Sequence, residues 1–427
     1  MNFDLPPHLT QLLDRIDRFI DDEIAPLQAA DDNARFFDHR REHARTDWDR
    51  GGLPRHEWEA LLSTARAKAD RAGLLRYSLP ENLGGGGGGH FDMAVIRDHL
   101  AAKGLGLHND LQNEFSIIGN FGVTIVFRDY GTPAQREAFI GPILAGERRV
   151  VFALTEPDHG SDATNMETRA VAETRDGVAG FRINGTKMWT TAMHVATHVM
   201  LFARTSGVTG HAKGITAFLV PIETPGIDIK EYLWTFNMPT DHALVDYRDV
   251  WVPADAILGP PDDGLAVAQH FVHDSRIRQA ASSLGAADYC VRESVAYARD
   301  RKPFGKPLAA NQAIQFPLVE LATQVEMLRL LIRKTALEMD GMSRTDIART
   351  LSDKVAMCNY WANRLCCEAA DRAMQVHGGI GYSRYKPFEH IYRHHRRYRI
   401  TEGAEEIQMR KIAAWMFGYA GPNRVAR

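Results

Sequence analysis

The residue best placed to do chemistry in this sequence is Glu402, which comes directly before Gly403 near the C-terminus. The polar run around it leads into apolar residues at helical spacing, so we expect Glu402 at a loop-to-helix junction. A carboxylate beside a glycine, where a ligand can approach the backbone, can remove a proton from a bound substrate. The alternative is that Glu402 only caps the last helix. We take Glu402 as the candidate general base.

A second candidate is the segment Leu154-Thr-Glu-Pro-Asp-His-Gly-Ser-Asp162, which follows a strand-like run. Its proline, its glycine and its short hydroxyl or acid side chains predict a tight turn. Backbone N–H groups and hydroxyls in such turns can bind the polar edge of a heteroaromatic ring or a phosphate. A turn that merely closes the sheet is the alternative.

A third candidate is the segment Asn184-Gly-Thr-Lys-Met-Trp-Thr-Thr191. Asn184-Gly185 predicts a tight turn, and Trp189 and Thr191 are two residues apart, so both should lie on the same face of the strand that follows. An indole beside a hydroxyl can pack against a flat cofactor and hydrogen-bond its edge. A tryptophan buried in the sheet core is the alternative.

Two further segments have the composition of phosphate-binding or close-approach sites. Arg301-Lys-Pro-Phe-Gly-Lys-Pro-Leu308 places cations around a glycine turn between two helices, and guanidinium groups pair with pyrophosphate oxygens. Gln375-Val-His-Gly-Gly-Ile-Gly-Tyr382 is a glycine-rich helix end. Exposed charges at a helix end, and a simple helix stop, are the alternatives.

These candidates lie in three segments that differ in hydrophobic periodicity and in residue composition. Residues 1–150 have helical periodicity, residues 151–258 contain short strands rich in β-branched and aromatic residues, and residues 259–427 are again helical. The sequence therefore predicts a mainly α protein with a central antiparallel β domain, preceded by a helical domain and followed by a helical bundle. The charge-dense residues 31–54 are expected to form a long exposed loop or insertion.

Charge and cysteine content exclude several classes of function. The 51 basic and 54 acidic side chains give a formal net charge of -3, which argues against nucleic acid or an anionic membrane as the main partner. The four cysteines lack metal-ligand spacing, so we expect reduced thiols. His394 and His395, which are adjacent to each other, also lack such spacing, so we expect no metal site. Because no apolar run approaches the ~20 residues of a membrane span and no presequence pattern is present, we expect a cytoplasmic protein.

In their order and spacing, these motifs resemble the acyl-CoA dehydrogenase family over roughly residues 75 to 415. The resemblance implies an N-terminal helical domain, a central β domain and a C-terminal four-helix bundle, with non-covalent FAD as the cofactor. It also implies a homo-oligomer, usually a tetramer with a dimer as the alternative, an acyl-CoA substrate and an electron-transfer flavoprotein as partner.

The resemblance also assigns roles to residues, with Glu402 as the catalytic base. Residues implied to contact the flavin and its neighbourhood within one subunit are Phe152, Thr155, Ser161, Trp189 and Thr191. Residues implied to hold the adenine-diphosphate half of a neighbouring subunit's FAD are Arg301, Phe304, Gln312, Gln375 and Gly379. Residues implied to face the acyl-CoA are Ser161, Arg276 and Gly403.

The implied reaction removes the α-proton of an acyl-CoA thioester to Glu402 and passes the β-hydrogen as hydride to flavin N5, giving a trans-2-enoyl-CoA. Thr401 replaces a tyrosine that is common in the family, which predicts room for a branched or ring-bearing acyl group. Ala404 and Glu406 stand where many members have threonine and glutamine, which weakens the expected FAD contacts there. Ser275 leaves Glu402 without a rival base on the preceding helix.

Two other readings of the same scaffold are a flavin oxidase or two-component flavin monooxygenase, and an interaction protein that has lost the reaction. A monooxygenase has no need of an α-proton base, so Glu402 argues against it. The intact motifs argue against a protein without activity.

Overall fold

The computed structural model describes residues 4–109, 116–422 and 424, and the chain divides into two compact units. Unit 1 comprises Met1–Arg45, Arg55–Asn120 and His273–Arg427, and unit 2 comprises Thr46–Pro54 and Phe121–Val272. Among the described residues, no helix combines the length and apolarity that crossing a bilayer requires.

The helices and strands follow the order that the sequence predicts. The helices are α1 (Pro7–Phe19), α2 (Ala25–Ala29), α3 (His56–Arg71), α4 (His90–Ala102), α5 (Gly122–Tyr130), α6 (Pro133–Leu144), α7 (Gly264–Asp300), α8 (Gln312–Asp340), α9 (Arg344–Asp346), α10 (Ser352–His377), α11 (Gly379–Tyr382), α12 (Phe388–Arg396) and α13 (Glu405–Met416). The strands are β1 (Thr46–Asp47), β2 (Leu53–Pro54), β3 (Val150–Ala153), β4 (Arg169–Arg175), β5 (Val178–Thr191), β6 (His198–Arg204), β7 (Ile215–Pro221), β8 (Ile227–Tyr232), β9 (His242–Pro253) and β10 (Ile257–Leu258). This order confirms the predicted fold class, mainly α with a central β sheet.

Helices α8 and α10 pack against each other and, with α7, contribute to one of the hydrophobic cores of unit 1. Apolar residues at helical spacing along α8 are buried, as helical periodicity requires, at Leu318, Leu321, Val325 and Leu328. Leu331 is only partly buried, and Ile332 takes its place in the core. Helix α10 also packs against α12 and α13. It therefore supports the segment between these two helices, which carries Glu402.

The sheet of unit 2 has the strand order β10-β7-β6-β4-β5-β9-β8, and β3 pairs with β6. Its pairs are antiparallel as predicted, with two exceptions. The β3–β6 pair is parallel, and Arg169 of β4 makes a parallel contact with Arg204 of β6. The connection from β3 to β6 contains the β4–β5 hairpin, so the chain returns beside β3 in the same direction.

Two local predictions about turns and loops were wrong. Asn184-Gly185 is not a tight turn but lies inside β5, where the pairing with β9 shifts its register between Ile183 and Gly185. Hydrogen bonding along β9 outweighs the local turn preference there. Residues 31–54 are not a plain exposed loop either, since they contain 3-10 turns and the β1–β2 pair. Arg45 within this segment is buried, with its guanidinium over the ring of Trp58.

Candidate functional site

Glu402 lies in the tight turn that connects α12 to α13. Its φ angle is 56° and that of Gly403 is 91°, so two successive residues occupy left-handed backbone space. For a non-glycine residue this conformation costs on the order of 1–3 kcal/mol and persists only where surrounding contacts hold it. Helix α13 begins with Ala404 as its N-cap and has no side-chain cap, so helix capping does not explain Glu402.

Two buried side chains hold the backbone of this turn. Arg276 of α7 is 6% exposed and donates to the carbonyl oxygen of Glu402 from Nε at 2.9 Å and from Nη2 at 2.6 Å. Gln408 of α13 donates from Nε2 to the carbonyl oxygen of Gly403 at 2.7 Å. Burial lowers the pKa of Arg276, and the charge of Glu402 acts in the opposite direction. The turn is therefore fixed by donors that solvent does not compete for.

Gln408 belongs to a network of buried amide and hydroxyl groups, which also reaches the backbone of Arg276. We call it the amide network, and it is formed by Asn359, Asn363, Gln408 and Ser283. Asn359 donates to the carbonyl oxygen of Arg276 at 2.8 Å and accepts from Gln408 at 2.9 Å and from Asn363 at 3.2 Å. Ser283 donates to the side-chain oxygen of Asn363 at 2.6 Å. Buried amides with fixed partners have one orientation each, so the network transmits the positions of α7 and α10 to the Glu402 turn.

A charged pair joins the two ends of the turn. Glu405 is 7% exposed and accepts from Nε and Nη2 of Arg399, each at 2.9 Å, and from Arg364 at 3.3 Å. The hydrogen bonds from Arg399 hold the pKa of Glu405 below its usual value despite burial. Because bidentate arginine–carboxylate pairs are geometrically specific, this pair fixes the distance between the residues that flank Glu402.

A buried histidine that contacts the amide network makes the stability of the protein depend on pH. Ser283 shares a hydrogen bond of 2.8 Å with Nδ1 of the fully buried His395, and burial lowers the pKa of that ring to about 3 from 6.5. As the pH falls below about 6.5, His395 becomes protonated in the unfolded chain but stays neutral in the folded protein. The free energy of unfolding therefore decreases. We expect His395 to cost the protein about 1.4 kcal/mol of unfolding free energy per pH unit below that value. Urea unfolding between pH 7 and 5 measures it, and equal slopes for the native protein and His395→Asn would contradict the prediction.

In unit 2, a buried ion pair organises the segment that carries Thr155. The ammonium group of Lys187 is fully buried and lies 2.9 Å from Oε1 of Glu156, which is 4% exposed. Lys187 also donates to the carbonyl oxygen of Leu154 at 3.0 Å, and Glu156 accepts from the N–H of Thr168 at 2.9 Å. Burial lowers the pKa of Lys187 to about 8. Burial alone would raise the pKa of Glu156, but Lys187 and the donated hydrogen bonds outweigh it and lower that pKa, so both groups are ionised near neutral pH.

This ion pair brings the second and third candidate segments together. The N–H of Met188 donates to the carbonyl oxygen of Thr155 at 2.9 Å. Trp189, next along β5, is 45% exposed and has a φ angle of 63°, at a point where the β5–β9 register shifts. Trp189 and Thr191 are both exposed, with buried Thr190 between them. The indole is therefore not a core side chain, and the bulge presents it to solvent at the cost of a strained backbone.

The other predicted residues of unit 2 differ in exposure. Phe152 is half-buried and stacks on Phe271 with ring centroids 5.3 Å apart. Ser161 is exposed in the turn that follows β3. The hydroxyl of Thr191 lies 3.0 Å from Nδ1 of His242.

The predicted phosphate-binding residues of unit 1 are exposed: Arg301, Phe304, Gln312, Gln375 and Gly379. Phe304 is fully exposed in a left-handed conformation, with a φ angle of 53°. Tyr297 stacks on His377 with ring centroids 4.3 Å apart, which places the turn after α7 beside the end of α10. The two segments that the resemblance assigns to the same half of FAD therefore lie at one end of the unit.

Sequence reasoning missed the residues that hold these groups in place. Glu156 and Lys187 stand inside the quoted motifs, but nothing in the sequence shows that they pair. Arg399 and Glu405 flank Glu402 symmetrically, and this arrangement of charges could have been noticed. The contacts of Gln408 and Asn359 depend on helix packing, which the sequence does not give.

Comparison with known proteins places the chain in a family. Three family descriptions match in succession: acyl-CoA dehydrogenase N-terminal domain over residues 6–147, middle domain over residues 151–243 and C-terminal domain over residues 262–417. The human mitochondrial short-chain specific acyl-CoA dehydrogenase is 33% identical over 83% of this chain and 83% of its own length. The caffeyl-CoA reductase-Etf complex subunit CarC of Acetobacterium woodii is 30% identical over 82% of this chain and 88% of its own length.

A solved structure agrees with these matches. The butyryl-CoA dehydrogenase of Megasphaera elsdenii has a TM-score of 0.78 and 26% identity, covering 98% of this chain and 100% of the other. The chain belongs to the acyl-CoA dehydrogenase family, whose members are FAD-binding oxidoreductases acting on CH–CH bonds.

Proposed function

We propose that this protein oxidises an acyl-CoA thioester to a trans-2-enoyl-CoA, with Glu402 as the base that removes the α-proton. The observation that carries the proposal is the conformation of the Glu402 turn. A half-buried carboxylate is held in left-handed backbone space by two buried donors, Arg276 and Gln408. Such strain, held by so many contacts, is typical of a residue that must point in one direction for function.

The chemistry explains why the carboxylate must be held. A thioester α-proton is weakly acidic, so a carboxylate removes it only if the charge developing on the carbonyl oxygen is stabilised at the same time. We propose that the backbone N–H of Glu402 donates to that oxygen, in the manner of an oxyanion hole, where one donor contributes roughly 3–4 kcal/mol. Arg276 and Gln408 fix the peptide planes after Glu402, and the N–H of Thr401 bonds to the carbonyl of Arg397 at 2.9 Å before it.

The residues present fit FAD, which supplies the acceptor for the β-hydrogen when it is bound. In unit 2, an exposed indole and the hydroxyls of Thr155 and Thr191 match a flat ring system with one hydrogen-bonding edge. In unit 1, the exposed guanidinium of Arg301 matches a phosphate of the cofactor. No atom lies within 4 Å of the position that a Cβ of Gly379 would take, so the cofactor can approach the backbone closely there. We propose that Phe152 and Ser161 complete the flavin and CoA contacts of unit 2.

We further propose a homo-oligomer in which one copy contributes to the FAD site of the next. Helix α8 carries a second apolar face, and it is exposed at Phe316, Val319, Met327, Leu330 and Leu337. An exposed apolar stripe of this length favours burial against another copy of the chain. Phe304, Gln312 and Gln375 are exposed as well, as a contact with a neighbouring subunit's cofactor requires.

An electron-transfer flavoprotein is the proposed electron acceptor. The support is the relative from Acetobacterium woodii, which is named as a subunit of a reductase–Etf complex. A titration of substrate-reduced enzyme with such a flavoprotein, followed by its absorbance, tests the pairing. Fast oxygen consumption in its absence would favour a flavin oxidase or monooxygenase instead.

Arg301→Ala tests the proposed adenine-diphosphate contact. Because Arg301 is exposed, its substitution should leave folding intact while the loss of a charge-assisted phosphate contact weakens FAD binding about tenfold or more. The fluorescence of flavin released on serial dilution measures how much FAD the protein retains. The control is Arg299→Ala, which removes a nearby cation at the end of α7. Equal retention in the two variants would contradict the role of Arg301.

The experiment that tests the function is anaerobic bleaching of bound flavin by a panel of straight, branched and ring-bearing acyl-CoA thioesters. We expect at least one thioester to bleach the flavin and to yield its trans-2-enoyl product. Thr401 in place of a larger side chain favours the branched or ring-bearing members. A protein that is colourless and takes up no FAD, or a yellow protein that no thioester bleaches, would contradict the proposal.

A further inference from the structure

The β1–β2 pair of residues 46–54 packs on the loop that precedes β9. The N–H of Thr240 donates to the carbonyl oxygen of Gly52 at 2.7 Å, and its hydroxyl donates to the carbonyl oxygen of Gly51 at 3.3 Å. Gly52 has a φ angle of 85°, in the left-handed region that favours glycine, and a Cβ there would lie 2.9 Å from Cε of Met238, at the flexible end of that side chain. The charge-dense insertion in the sequence thus supports a loop of the β sheet.

That loop ends at Asp241, and β9 begins at His242; both residues contact the exposed end of β5. Nδ1 of His242 lies 3.0 Å from the hydroxyl of Thr191 and 3.2 Å from Oδ1 of Asp241. The imidazole meets the indole of Trp189 edge to face, with ring centroids 6.4 Å apart and an interplanar angle of 84°. The carbonyl oxygen of Asp241 accepts from the N–H of Ala192 at 2.6 Å. Asp241 and His242 therefore contact the indole of Trp189, the hydroxyl of Thr191 and the backbone N–H of Ala192.

The carboxylate decides which way these hydrogen bonds run. Asp241 is 5% exposed, and a carboxylate can only accept, so Nδ1 of His242 must carry a hydrogen to lie beside it. The same N–H then faces the oxygen of Thr191, which acts as an acceptor there. The hydroxyl hydrogen of Thr191 is consequently directed away from His242 and is available to a ligand. Without Asp241, the imidazole could instead accept that hydrogen.

We propose that Asp241 and His242 are positioning residues that make Thr191 a hydrogen-bond donor to the flavin edge and hold Trp189 against the ring. This inference rests on the proposed function, because it assigns the flavin edge to Thr191 and Trp189. A donor to N1 or to a carbonyl oxygen of the isoalloxazine stabilises the reduced flavin, which carries more electron density there, over the oxidised flavin. The midpoint potential of bound FAD is therefore the property that these residues set.

The test compares midpoint potentials of FAD-loaded variants by dye equilibration. We expect Thr191→Val to weaken the reduced form about tenfold relative to the oxidised form, a lowering of about 30 mV for a two-electron couple. His242→Leu keeps the hydroxyl of Thr191 but no longer orients it, so we expect it to give a part of that lowering. The double variant should show the same lowering as Thr191→Val, because His242 acts through Thr191. His242→Asn, which keeps a donor near the Nδ1 position, should restore most of the native value. His211→Leu, an exposed histidine of the same unit, is the control.

Two results would overturn the inference: an unchanged potential in His242→Leu with a full complement of FAD, or additive shifts in the double variant. If His242→Leu does not retain FAD, His242→Gln takes its place with the same expectation, since it moves the donor away from Thr191 while keeping a polar side chain. A native protein that binds no FAD, or whose flavin no thioester bleaches, would instead contradict the proposed function.

Discussion

Glu402→Gln should abolish bleaching of the flavin by substrate while the protein stays yellow and still binds acyl-CoA. The amide keeps the size of the side chain and can still hydrogen-bond, but it cannot take a proton from the α-carbon. General-base catalysis contributes typically about 10²- to 10⁴-fold, so we expect the rate of anaerobic bleaching to fall by at least that range. Stopped-flow absorbance of the bound flavin measures it directly.

The matched control is Glu368→Gln, which changes a carboxylate on the exposed side of α10 in the same unit. It should bleach at the native rate. Near-native bleaching by Glu402→Gln, or an equal loss in both variants, would remove Glu402 from the mechanism. Loss of the FAD spectrum in Glu402→Gln would point to a structural role instead.

Lys187→Met should destabilise the protein by about 3–5 kcal/mol, because it leaves the Glu156 carboxylate buried without its partner. The double variant Lys187→Met/Glu156→Gln removes the buried charge and should recover a large part of that loss. Urea unfolding followed by circular dichroism gives the free energies of all three proteins.

The control for this prediction is Lys213→Met, which breaks an exposed ion pair with Asp263 of 2.8 Å in the same unit. Exposed pairs contribute at most about 1 kcal/mol, so this variant should be close to the native protein. If Lys187→Met costs no more than Lys213→Met, the Glu156–Lys187 pair does not organise the segment as described. The FAD spectrum of Lys187→Met further shows whether the pair holds Thr155 and Trp189 in place.

The sequence predicted the helices, strands and turns well where the signals are local. Helical periodicity in α8 and the turn at Glu402-Gly403 involve neighbouring residues, and both appear in the structure. Strand β4, with the sequence RAVAETR, has a charged composition that gives little local strand signal, and it forms because it pairs with two neighbours. Asn184-Gly185 was misassigned because pairing with β9 outweighs its turn preference.

What the sequence could not give is the set of contacts that hold the candidate residues. Arg276 and Glu402 are 126 positions apart, and Thr191 and His242 are 51 apart. Only tertiary packing brings such pairs together, and neither composition nor spacing encodes it. For this reason Arg276 was assigned to the acyl-CoA alone, whereas the structure shows its guanidinium bound to the carbonyl of Glu402. Its contact with substrate stays a prediction.

The central claim is that Glu402 removes the α-proton, and it can be tested apart from hydride transfer. A thioester with α-hydrogens but no β-hydrogen, such as phenylacetyl-CoA, can lose and regain a proton but cannot be oxidised. Incubation in D₂O with FAD-loaded enzyme, followed by mass spectrometry of the thioester, counts the exchanged hydrogens. We predict deuterium incorporation with the native protein and with Glu368→Gln, and none above background with Glu402→Gln. Equal incorporation with Glu402→Gln would contradict the account.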